Sequence, residues 1–181
     1  SALATLPALD RVSFAHQPHD IESEDGRRVM SLVNPEPLTE VLRLPSLRSV
    51  TFRSFYFTKS LCRAVAVALK AGCAVNSVNL DRCSFLERDN AAMIASALKR
   101  NKSVTTFRFQ QTPFNEAFCD AMAVSLLTNV TLQDLTLDLP EDSNSSTWLS
   151  SLFLALGMNA GLRSLYINGH QSNEIDLANE E

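Results

Sequence analysis

Few residues in this chain are placed to do chemistry. Cys62, Cys73, Cys83 and Cys119 would serve as metal ligands or disulfide partners if paired at short spacing. None forms a C-x-x-C, and the spacings suit neither zinc nor a disulfide scaffold. They read as buried or half-buried free thiols of an intracellular protein. His16, His19 and Asp20 are chemically able to hold a metal. Two histidines in a Pro-containing loop, without a third convergent ligand, read instead as plain loop residues, so no metal is expected. Asn101-Lys-Ser103, Asn129-Val-Thr131 and Asn144-Ser-Ser146 match the glycosylation acceptor pattern. The first two sit on a repeated asparagine that needs no sugar to explain it. No phosphate-binding or hydrolase motif occurs, and five glycines leave little for a phosphate cradle. The expectation is a non-catalytic protein without a cofactor.

The composition narrows the classes further. The chain has 181 residues, 45% apolar and 20% charged, which fits a folded domain or a short stack of repeats. Acidic residues outnumber basic ones, 20 to 16. Phosphate binding needs a basic excess, so a nucleic-acid partner is not expected. No apolar run reaches the roughly 18 residues of a membrane span. No secretory apolar segment stands at the N-terminus, so a cytoplasmic location is expected.

The elements that would position any site come from an internal repeat. Leu9, Val12 and Phe14 have the same spacing as Leu47, Val50 and Phe52. The spacing returns at Val75, Val78 and Leu80; at Val104, Phe107 and Phe109; at Leu132, Leu135 and Leu137; and at Leu162, Leu165 and Ile167. First positions 9, 47, 75, 104, 132 and 162 give intervals of 38, 28, 29, 28 and 30. Six residues before four of these starts stand Leu69, Leu98, Leu126 and Leu156, each preceded by Ala68, Ala97, Ser125 or Ala155. Three residues before them stand Gly72, Asn101, Asn129 and Asn159. Glycine and asparagine readily take the left-handed conformation that ends a helix. Thr58, Asn115 and Asn173 fall where a helix N-cap belongs, and Asp89 is the expected cap in the third unit.

Each unit therefore reads as strand, loop, helix, stop. The helices carry one apolar face each: Leu61, Val65, Ala68 and Leu69; Ile94, Ala97 and Leu98, with Met93 beside them; Phe118, Met122 and Leu126; Trp148, Leu152, Ala155 and Leu156. A unit of this kind buries its apolar side only against its neighbours. Stacking gives a parallel sheet with helices on one side. Helices are wider than strands, about 10 Å against about 4.8 Å, so the stack must curve with the sheet inside.

The pattern L-x-x-L-x-L-x-x-[N/C], with A-L-x-x-N-x-x-L in a unit of 28–29 residues, resembles the leucine-rich repeats of the ribonuclease-inhibitor subfamily. The third unit is the cleanest copy, with Val75, Val78, Leu80, Cys83, Ala97, Leu98 and Asn101. The N/C position holds Gln17, Phe55, Cys83, Thr112, Pro140 and His170, of which Cys83 alone fits the pattern. The fold class expected is α/β, a curved right-handed solenoid with a parallel concave sheet and convex helices. Residues 1–181 form one domain of about six repeats, with strands near 9–14, 47–52, 75–80, 104–109, 132–137 and 162–167. Residues 17–43 form a longer irregular insertion, in which Pro35 and Pro37 break any continuous helix and a turn lies near 38–42. Both ends resemble interrupted units, so a piece of a longer protein is expected.

Strand side chains alternate faces, so the residues between apolar positions project from the concave side. The candidate protein-binding residues are Arg53, Asn79, Asp81, Arg82, Arg108, Gln110, Asp138 and Tyr166. Arg53, Arg82, Arg108 and Tyr166 are the expected anchors, because Arg and Tyr dominate protein interfaces. The resemblance implies a non-catalytic scaffold that binds a protein partner. The alternative it implies is regulation of a small GTPase, for which no catalytic residue stands out.

Overall fold

The computed structural model describes residues 9–15, 35–139 and 146–169. Six strands form one parallel sheet: β1 (Arg11–Ala15), β2 (Ser49–Arg53), β4 (Ser77–Asp81), β6 (Thr106–Gln110), β7 (Asp134–Leu139) and β8 (Ser164–Gly169). They lie in chain order across the sheet, each in register with the next. A two-stranded sheet pairs β3 (Tyr56–Phe57) with β5 (Ser84–Phe85). Among the described residues the connections contain five helices: α1 (Pro35–Leu42), α2 (Lys59–Lys70), α3 (Ala91–Leu98), α4 (Glu116–Leu126) and α5 (Ser146–Met158). Each helix packs against the next. The fold is α/β with a parallel sheet.

The strands form because Val50, Phe52, Val78, Leu80, Phe107, Phe109, Leu135 and Leu137 alternate with polar residues. All eight are buried, and their neighbours face the uncovered side. At each strand start two consecutive amides donate to one carbonyl of the preceding unit. Arg48 and Ser49 use Asp10, Asn76 and Ser77 use Arg48, Thr105 and Thr106 use Asn76, Gln133 and Asp134 use Thr105, and Arg163 and Ser164 use Gln133.

Local chemistry sets the helix starts. Thr58 Oγ1 accepts from the Leu61 amide and Asn115 Oδ1 from the Phe118 amide, as cap residues do. Asp89 departs from expectation. It lies in a 3-10 turn over Arg88–Asn90, and its carboxylate accepts from Asn115 Nδ2 at 2.7 Å. Asn90 holds the cap position of α3 without a side-chain cap bond. Pro35 and Pro37 open α1, where the first amides have no helical acceptor to lose, and the turn expected near 38–42 is the rest of that helix. The apolar stripes are broader than the sequence suggested. Cys62, Ala66, Ala95, Cys119, Ala123 and Ser125 are buried too, because each internal helix is flanked on both sides.

The repeated asparagines act by a different mechanism from the one expected. Gly72 has a left-handed backbone, φ 79, but Asn101, Asn129 and Asn159 do not. Their side chains clamp one unit to the next. Asn101 Nδ2 donates to Leu69 O, Asn129 Nδ2 to Leu98 O and Asn101 O, and Asn159 Nδ2 to Leu126 O and Asn129 O. Leu69, Leu98 and Leu126 end the preceding helices, where carbonyls lack helical partners. Each Oδ1 accepts two amides of its own loop: Ser103 and Val104, Thr131 and Leu132, Gly161 and Leu162. Asn101 and Asn129 are buried with their amide nitrogens engaged, so the folded chain offers no acceptor for sugar there. Asn144 lies outside the described residues.

Nine of the ten phenylalanines form a continuous set of ring contacts through the units. It runs from Phe14 to Phe52 (5.2 Å between centroids), Phe57 (5.1 Å), Phe85 (5.2 Å), Phe109 (6.0 Å) and Phe118 (4.5 Å). Such contacts add to burial. Asn129→Ala should leave the Thr131 and Leu132 amides and the Asn101 carbonyl unpaired, while Leu98 O keeps the Asn101 amide, and cost roughly 3 kcal/mol or more in urea unfolding. An unchanged urea midpoint would remove the clamp from this account.

Candidate protein-binding face

The side of the sheet away from the helices carries rows of polar side chains, set by the parallel register. One row runs Ser13, Thr51, Asn79, Arg108, Thr136, Tyr166. The row beyond it contains Arg53, Asp81 and Gln110 in register, and Asp138 beside Asn168. Arg53, Arg82, Arg108 and Tyr166 are exposed, whereas Asn79, Asp81 and Gln110 are half-buried. Asp138 is buried, and its Oδ2 accepts the Gln111 amide at 2.8 Å. It fastens the loop after β6 and does not contribute to the open surface.

The expected anchors are not equivalent. Arg53 Nε reaches Asp81 Oδ2 at 3.0 Å. Arg82 Nε reaches Gln111 Oε1 at 2.7 Å and lies 3.9 Å from Asp81 Oδ1. Exposed pairs of this kind add little stability, but they fix where each guanidinium points. Arg108 has no hydrogen-bond or ion-pair partner among the described residues, and neither does the Tyr166 hydroxyl.

The loops just past the strands contain a feature that sequence reasoning missed. Ser54, Arg82 and Gln111 have left-handed backbones, with φ of 49, 54 and 46. Each follows its strand in a successive unit and donates its amide to the next unit: to Asp81 O, to Gln110 O and to Asp138 Oδ2. Ser, Arg and Gln give no sequence signal for this conformation, which favours Gly and Asn. Arg82 therefore projects from a turn past β4 and not from the strand. Thr112 also exceeds expectation. Its Oγ1 accepts the Cys83 amide at 3.0 Å and donates to Gln110 O at 2.8 Å, so it anchors the loop although it departs from the repeat pattern. Cys83 Sγ lies 3.3 Å from Phe52 O, and Phe55 joins the buried aromatic rings.

All four cysteines are free and buried. Burial pushes the Cys62 and Cys119 thiols up to about 12 and the Cys83 thiol to about 11. Thiolate chemistry is thereby suppressed. Among the described residues no group of His, Cys, Asp and Glu could hold a metal. His16, His19 and Asp20 lie outside them, as do Trp148's side chain and Asn173. Among the described residues no helix is long and apolar enough to cross a membrane.

No protein-family model matches the chain, and no curated protein matches it. Among solved structures, actin-binding site 2 of leiomodin-1 is similar. The two are 22% identical with a TM-score of 0.55, over 71% of this chain and 75% of that one. The likeness is one of fold.

Two outcomes follow from this geometry. Ser54→Gly should relieve the left-handed strain and raise stability by roughly 0.5–1 kcal/mol in urea unfolding; a loss of stability would contradict it. The raised thiols are protonated in the folded chain and ionise near 9.0 when unfolded. Their contribution is therefore complete below about pH 9 and is lost as pH rises toward 11–12. Between about pH 8 and 10 the urea midpoint should fall more steeply in the wild type than in Cys62→Ala/Cys119→Ala, by of order 1 kcal/mol per thiol. Parallel slopes would contradict it.

Proposed function

We propose that the chain is a stretch of leucine-rich repeats of the ribonuclease-inhibitor kind. It is a right-handed solenoid, its sheet lines a concave face, and that face docks a protein partner without catalysis. The observation that carries the reading is the six-stranded parallel sheet in chain order with its polar rows left open. A surface fixed before docking loses little conformational entropy on binding. Arg108 and Tyr166 supply exposed anchors of the types that dominate interfaces. Free buried cysteines support a cytoplasmic location.

Because the similar structure is an actin-binding site, actin is the first partner to test. Nothing in that comparison points to a small GTPase. Thr51→Arg with Thr136→Arg places bulk in the middle of the open face. This double variant should weaken binding of fluorescent monomeric actin at least about tenfold, with the thermal midpoint held. Lys70→Glu with Lys99→Glu, on the helix side, should leave binding intact. Loss in the helix-side variant with retention in the face variant would contradict the face. A wild type that does not bind actin removes actin and leaves the face to be tested with selected peptides.

A further inference from the structure

We propose that the docked partner presents a carboxylate, from an Asp or Glu side chain, to Arg108. This rests on the reading of the open face as the docking surface. Arg53 and Arg82 already have acceptors on their own chain, in Asp81 and Gln111. Arg108 stands in the middle of its row with neutral neighbours in register, Asn79 on β4 and Thr136 on β7. Three carboxylates are diagonal to it, and each has a partner of its own: Asp81 meets Arg53 at 3.0 Å. Asp134 Oδ2 accepts from Thr106 Oγ1 at 3.2 Å, and buried Asp138 accepts the Gln111 amide. Among the described residues no ion pair reaches Arg108.

In the free chain, water solvates this guanidinium. A partner laid over the row removes that water, and a buried cation without a counter-charge opposes binding strongly. Among the described residues the carboxylates around Arg108 already have partners, so the docked protein supplies the counter-charge. A carboxylate is the group whose two oxygens match the guanidinium fork and cancel its charge. Tyr166, two strands away at about 10 Å in the same row, offers an aromatic surface beside that contact.

The test selects random linear peptides on the immobilised wild-type chain. It keeps those whose binding is lost on the Thr51→Arg/Thr136→Arg variant. These face-directed peptides should be enriched in Asp and Glu. Their affinity should fall about tenfold or more with Arg108→Gln, and replacing the critical Asp or Glu by its amide should then cost nothing further. Arg108→Lys should restore part of the loss, since it returns the charge without the fork. Face-directed peptides without acidic enrichment, or indifferent to Arg108→Gln, would overturn the carboxylate while leaving the docking face standing. Displacement by inorganic phosphate but not by acetate at equal concentration would also overturn it, in favour of a phosphorylated partner. Peptides that bind the double-threonine variant as well as the wild type would overturn the docking face itself.

Discussion

A single strand–turn–helix unit cannot satisfy its own polar groups or cover its own apolar side. This constraint governs the whole structure. The carbonyls that end the helices at Leu69, Leu98 and Leu126 receive donors from the asparagine of the following unit. The amides that begin each strand donate to a carbonyl of the preceding one. The phenylalanine rings pass from unit to unit in the same sense. Stability is therefore a property of interfaces between units. Gly161 shows how tight these interfaces are, because a Cβ there would lie 2.6 Å from the Val130 carbonyl oxygen.

The parallel sheet and the helices between its strands were legible in the sequence, because apolar spacing and helix stops recur together at 28–30 residues. The caps at Thr58 and Asn115 were legible for the same reason. What escaped depends on contacts between units. Asparagine at a helix end suggests a backbone role, yet here both ends of its side chain bond across the junction. Phe57, Phe85 and Phe114 lie outside the periodic slots and Phe55 takes the place of an Asn or Cys, so the continuity of the aromatic rings could not be read from spacing. Asp89 shows how one 3-10 turn moves a cap off its expected position.

The candidate face was legible as a set of rows but not as a set of roles. Alternation placed Arg53, Arg108 and Tyr166 on the open side. It could not show that Asp81 and Gln111 hold two of the arginines, that Asp138 is spent on a loop amide, or that Arg82 leaves the strand through a left-handed turn. The fixed backbone turns one row of ordinary polar residues into a surface on which Arg108 has no partner among the described residues.

If neighbouring units hold it, this face is rigid before anything binds. Hydrogen exchange of the free protein tests this most directly. The amides of β2, β4, β6 and β7 should be strongly protected and should exchange together, with no strand opening much earlier than its neighbours. Exchange in β4 or β6 as fast as in an unstructured peptide would contradict the claim.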